Sequence, residues 1–145
     1  MDVRSLIAVL LAGLLAGSEL TSWGIVHPTL WKLDHQAQVR AEKLMYGGFA
    51  RVDPFLMTAT VIACFVAAGA LDKRSFPLAL AAGACFASML LGNMPINLRV
   101  FRWDEAHGDP AEWRRLRRRW DRLHSVRIVL DTAGFVLMTL AAVGG

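Results

Sequence analysis

The chain has 145 residues, 55% of them hydrophobic and only 19% charged, with a net charge of +4. That balance suits a single domain embedded in a membrane and argues against an ordinary soluble enzyme. The basic residues adjoin apolar segments, so anionic lipid headgroups account for the charge more simply than nucleic acid does.

The first predicted span covers about residues 6–26. Its apolar core, 6–16 followed by Gly17-Ser18, has the look of a secretory leader. Leu20, Trp23 and Ile25 extend it to about 20 residues, enough to cross a hydrocarbon layer of roughly 30 Å. Pro28 should end it. An ionisable group near the bilayer centre costs on the order of 3 kcal/mol, so Glu19 is expected to face protein. Glu19, Ser22, Trp23, Val26 and His27 fall on one helical face and make an inward polar stripe. Residues 27–53 read as a mixed connection, helical in part over 34–45 and ended by Gly47-Gly48 and Asp53-Pro54. Pro54 then opens a second span over about 55–71. A polar turn at 72–75 leads into a third span, about 77–94. Both spans are rich in Ala and Gly, which lets membrane helices pack closely as an antiparallel hairpin. Cys64 and Cys85 sit inside these apolar runs and read as small buried hydrophobes.

Asn93 and Asn97 would stack on one face of a continuing helix, with Pro95 between them removing the bond to the Leu91 carbonyl and loosening that turn. Asp109-Pro110-Ala111-Glu112 is a helix start, with Asp as cap, Pro at the first position and Glu at the third. From there Trp113, Leu116, Trp120, Leu123 and Arg127 recur at three- and four-residue steps, and most of the Arg run lies off that stripe. This predicts an amphipathic interfacial helix over about 110–125, running into a fourth span over about 126–143. The expected fold is all-α: an integral membrane four-helix bundle with an additional amphipathic helix before the last span. The connections 26–53 and 97–127 hold 13 of the 16 Lys and Arg residues. They are expected to be cytoplasmic, leaving both termini outside, in a bacterial inner membrane.

No Gly-rich phosphate loop, paired-Cys spacing or nucleophile elbow is present. Instead, amide, indole, imidazole and guanidinium groups gather between residues 92 and 127. Each has a plain structural alternative. Asn93 and Asn97 can be interhelical glue, Trp103, Trp113 and Trp120 an interfacial belt, the Arg run a lipid-facing surface, and Glu19 a packing hydrogen bond. Their convergence on one rim, opposite Glu19 and His27, favours a polar pocket. The spacing of His27, His35, His107 and His124 fits no zinc signature, so no metal or other cofactor is assigned. Were haem or a metal ion present, His27, His124 and Glu19 would be its ligands.

The run Gly92-Asn93-Met94-Pro95-Ile96-Asn97-Leu98, then Trp103, then Trp113-Arg114-Arg115-Leu116-Arg117-Arg118-Arg119-Trp120 and Arg127, closely resembles the anthrone oxygenase-like family of small four-span membrane proteins. Many of its members have no known function. The likeness covers most of the chain and is most specific from about 92 to 127. The family's characterised branch oxidises polyketide anthrones to anthraquinones with dioxygen and no added cofactor, and an Asn, a Trp and a His are regarded as catalytic there. The resemblance therefore implies Asn93, Asn97 and Trp120 as catalytic groups, with Arg127 as a framework or anion-binding group. After the second Trp this chain has Leu123-His124, where the family usually carries Asn or Trp-Asn.

The residues themselves offer His124, His27 or Glu19 as the base that would deprotonate such a carbon acid. Trp23, Trp103 and Trp113, with Arg127, suit binding of a flat aromatic substrate. The expected partners are a hydrophobic, polycyclic phenolic small molecule, dioxygen and membrane lipids, with homo-oligomers allowed. Two rival expectations stand beside this one: a haem- or metal-dependent oxidase using the same cavity, and a non-enzymatic lipid- or partner-binding subunit.

Overall fold

Asp2 starts the first helix by accepting the Ser5 amide at 2.7 Å. That helix, α1, runs from Val3–Leu30. The computed structural model describes residues 2–70 and 92–144. The helix does not end at Pro28 as the sequence led us to expect, and the reason is local. Ser22–Val26 form a wider, π-type turn in which the His27 amide reaches back to the Ser22 carbonyl. The wide turn accommodates a proline that has no N–H for the carbonyl four residues back.

The second helix, α2, spans His35–Ala70 and replaces most of the expected mixed connection. Asp34 caps it, accepting the Ala37 amide at 3.0 Å. Gly47-Gly48 lie within it, and Pro54 is inside the helix rather than at its start. A glycine costs only about 1 kcal/mol in a helix interior, which packing of the neighbouring turns overrides. The short α3, Met94–Phe101, carries Pro95 in its first turn, where a missing N–H leaves nothing unsatisfied. The last helix, α4, spans Pro110–Gly144 and unites the predicted amphipathic helix with the fourth span.

Three helices among the described residues, α1, α2 and α4, are long and apolar enough to cross a membrane. The chain is thus an all-helical integral membrane protein, with three such helices described where four spans were expected. The predicted third span and the turn before it, with Cys85, lie outside the described residues apart from 92–94.

At about 1.5 Å per residue, α2 and α4 are each roughly 50 Å long, far more than a hydrocarbon thickness of roughly 30 Å. Their overhanging N-terminal parts pack with α3 around Val39, Tyr46, Ile96, Val100, Trp113, Leu116 and Trp120. Toward the other end, the small residues Ala8 and Ala67 with Cys64 and Met138 draw α1, α2 and α4 together.

The connection from α3 to α4 is strapped to α2. Lys43 Nζ donates to the Trp103 carbonyl at 2.6 Å and to Glu105 at 3.1 Å, and Arg40 Nε donates to Glu105 at 3.2 Å. The hydrogen bonds from Lys43 and Arg40 hold the Glu105 carboxyl below the ordinary carboxylate range. A group depressed in this way adds stability above its unfolded pKa and gives it up as pH falls through the folded one. The protection of the amides over residues 102–109, taken relative to their intrinsic exchange rate at each pH, should therefore fall on acidification below the ordinary carboxylate range. Glu105→Gln should already show faster exchange at neutral pH, and an unchanged profile in that variant would rule the strap out.

Candidate functional site

All four described helices contribute to one cavity. Glu19 and His27 come from α1, Tyr46 and Asp53 from α2, Asn97 from α3, and Trp120, His124 and Arg127 from α4. The remaining wall is largely apolar, with Met45, Phe49, Pro54, Met94 and Phe101. The cavity volume is about 130 Å³, and the free space rises to about 790 Å³ when the open mouth is counted.

Helix geometry explains the convergence. On α4, Trp120, His124 and Arg127 follow at steps of four and three, so they share a face. On α1, eight residues of ideal helix would leave His27 about 80° round from Glu19. The wider turn between them takes up part of that rotation and brings both to the cavity.

Glu19, His124 and Arg127 form a buried cluster at its polar end. Arg127 Nη2 donates to Glu19 Oε2 at 2.5 Å and lies 3.1 Å from His124 Nδ1. His124 Nδ1 is also 3.2 Å from Glu19 Oε2. An arginine has only donors and a carboxylate only acceptors, so Nδ1 bonds one or the other according to which nitrogen carries the ring proton. As placed, Nδ1 accepts from Arg127, and the Glu19 contact is an ion-pair distance rather than an aligned hydrogen bond; a ring proton on Nδ1, turned to Glu19, would leave Nε2 bare as a base. The Nε2 nitrogen is buried and has no partner among the described residues. Asp53 also lines the cavity, within electrostatic reach of Glu19 and Arg127.

Trp120 joins the two ends of the site. Its indole N–H donates to Asn97 Oδ1 at 2.8 Å. Because the indole can only donate, this bond fixes the amide's orientation and leaves the Asn97 NH₂ for the cavity. The indole N–H itself is therefore already spent on Asn97 and is not free for a substrate oxygen. His27 and His124 both pack on the Trp120 ring, each with ring centroids 4.4 Å away.

Behind His27 lies a second polar network. Arg117 is fully buried. Its Nε forms an ion pair with Glu42 at 2.6 Å rather than an aligned hydrogen bond, and Gln38 donates to Glu42 at 3.2 Å. The two remaining Arg117 nitrogens go to the Tyr46 hydroxyl and to His27 Nδ1, the latter at 2.9 Å. The guanidinium also stacks over Trp120, 4.7 Å from the ring centroid.

Six of the residues singled out from the sequence therefore meet on the cavity wall: Glu19, His27, Asn97, Trp120, His124 and Arg127. Four others do not line it. Asn93 is buried with an amide that has no partner among the described residues. Trp23 is half exposed and donates to Ser125 Oγ at 3.0 Å. Trp103 and Trp113 pack on each other with centroids 5.3 Å apart, and Trp113 is wholly buried in the aromatic core. The sequence reading passed over Glu42, Tyr46, Asp53 and Arg117. The ligand set reserved for a metal or haem, His27, His124 and Glu19, is interleaved with two guanidiniums. Among the described residues no group of three or more His, Cys, Asp or Glu converges to hold a metal ion.

Two tryptophan substitutions separate core from cavity. Trp113→Phe keeps a ring in the aromatic core and should leave the Asn97 side-chain amide signals unmoved. Trp120→Phe removes the N–H that orients Asn97 and should shift them. ¹⁵N NMR of asparagine-labelled variants checks this, and a shift confined to Trp113→Phe would reverse the assignment.

No curated protein and no solved structure matches the chain. The family model described as anthrone oxygenase matches residues 42–137, more than half of the chain. The matched stretch carries Tyr46, Asn97, Trp120, His124 and Arg127, while Glu19 and His27 precede it. On that match, the chain belongs to the anthrone oxygenase family.

Proposed function

We propose that this protein is a membrane-embedded oxygenase that converts an acidic methylene of a hydrophobic, polycyclic phenolic substrate to a carbonyl, using dioxygen. One observation carries the reading: the Glu19–His124–Arg127 cluster and the oriented Asn97 amide open onto the same apolar-walled cavity.

In this reading His124 Nε2 removes a methylene proton, with Glu19 holding Nδ1–H and balancing the charge that develops on the ring. The Asn97 NH₂ donates to the enolate oxygen of the resulting carbanion. That carbanion gives one electron to dioxygen, and the substrate radical and superoxide combine to form a C–O bond. The peroxide takes up a proton. Loss of the second methylene proton, with cleavage of the O–O bond, then releases water. The balance is CH₂ + O₂ → C=O + H₂O. The substrate carbanion is itself the reductant, so the reaction calls for no added cofactor. Entry from the bilayer suits the apolar wall, and the Lys- and Arg-rich end of the helices is assigned to the cytoplasmic face.

Purified protein in lipid nanodiscs, supplied with anthrone in air, should consume dioxygen and form the quinone chromophore faster than empty nanodiscs. A folded Asn97→Ala/His124→Ala variant should not. Equal product formation by that variant would overturn the proposal.

A further inference from the structure

Two imidazoles line the cavity, and the groups behind them differ. His124 Nδ1 faces a carboxylate as well as a guanidinium. His27 Nδ1 lies 2.9 Å from Arg117 Nη2, while the nearest carboxylate oxygen, on Asp121, is 3.9 Å away and beyond hydrogen-bond reach. A guanidinium has no acceptor, so this contact makes Nδ1 the acceptor and puts the proton of a neutral ring on Nε2. His27 Nε2 is buried and has no partner among the described residues. Since Arg117 is not part of the cavity wall and His27 is, Nε2 is the nitrogen left to face a ligand.

Arg117 has little freedom to do otherwise. Glu42 takes its Nε and the Tyr46 hydroxyl takes Nη1, and the Trp120 ring covers the guanidinium plane. We propose that Arg117, held by Glu42, is a positioning residue that fixes His27 as a neutral hydrogen-bond donor into the cavity. On the oxygenase reading the two histidines then have opposite roles: His124, with its ring proton turned to Glu19, is bare at Nε2 and takes a proton, while His27 carries its proton at Nε2 and donates to the enolate oxygen beside Asn97. This assignment rests on the oxygenase reading above for the identity of the acceptor. The state of the ring itself does not depend on that reading.

The experiment is ¹⁵N NMR of histidine-labelled protein in nanodiscs, with His27 signals identified by their loss in His27→Gln. Wild-type His27 should show a protonated Nε2 and a bare Nδ1. Protonation at Nδ1, or at both nitrogens, would overturn the proposal without any variant at Arg117. A kinetic cycle then tests the coupling with anthrone as the probe. His27→Ala should lower kcat by about 10²–10³, the usual loss for one oxyanion donor. His27→Gln, whose amide still donates, should restore most of it. Arg117→Met should lower kcat with little change in KM, but cost little more in the His27→Gln background, where no ring proton has to be placed. Equal losses from Arg117→Met in both backgrounds would mean that Arg117 acts by packing alone and would overturn its role. If His27 is protonated at Nε2 but no variant or wild type turns over anthrone, the oxygenase reading fails and the donor assignment stands.

Discussion

Replacing His124 with Gln is expected to lower kcat by about 10²–10⁴, the range that a positioned general base contributes. The substitution should leave the protein folded. Glu19 and Arg127 remain paired at 2.5 Å without the imidazole, and Gln fills much of the same space against Trp120. KM should change little, because the apolar wall and the Asn97 amide are untouched. Deuterium at the reacting methylene provides a second readout. If proton removal limits turnover in the wild type, the deuterated substrate should react more slowly, and the residual reaction of His124→Gln should keep or increase that isotope effect. Wild-type rates in His124→Gln would remove it from the reaction and shift attention to Asp53, another titratable group on the cavity wall.

How much of this site was legible in the sequence depends on which helix is considered. On α4 the buried positions Trp113, Leu116, Trp120, His124 and Arg127 follow a plain three- and four-residue rhythm, and the rim could be read from it. Arg117 obeys the same rhythm, four residues after Trp113 and three before Trp120, yet it stands within a run of arginines whose other members are exposed. Its identity argued for solvent while its position argued for the core, and position prevailed. Glu42 follows the same logic between Val39 and Tyr46. The punctuation residues misled in the opposite direction. Pro28, Gly47-Gly48 and Pro54 read as breaks, but tertiary packing carries both helices through them, with the turn at Ser22–Val26 widened to admit Pro28. Unbroken helices of this length also explain why the expected interfacial helix and mixed connection became overhanging parts of α4 and α2. The three tryptophans assigned to substrate divide by burial partner, which no spacing rule encodes.

The largest stability effect is expected at the Glu42–Arg117 pair. Both side chains are almost fully buried, with the carboxylate 2.6 Å from the guanidinium. Removing Arg117 leaves the Glu42 carboxylate buried without a cation, and removing Glu42 leaves the Arg117 guanidinium with only the partly exposed Asp121 carboxylate, 3.6 Å away; breaking a buried pair costs about 3–5 kcal/mol. Glu42→Leu and Arg117→Met should each fall in that range, measured by denaturant unfolding in mixed micelles. The double variant should lie closer to the wild type than either single one, since no buried charge is left unpaired. Recovery will be incomplete. Arg117 also donates to Tyr46 and His27, and Gln38 donates to Glu42, so the double variant orphans buried polar groups at about 1–3 kcal/mol each. Strictly additive losses would mean that the pair contributes nothing as a pair. A second comparison separates stability from chemistry. The double variant, although restored toward wild-type stability, should remain impaired in turnover, because His27 has lost the guanidinium that decides which nitrogen carries its proton. If stability and turnover instead recover together, the network behind His27 serves only to hold the helices in place.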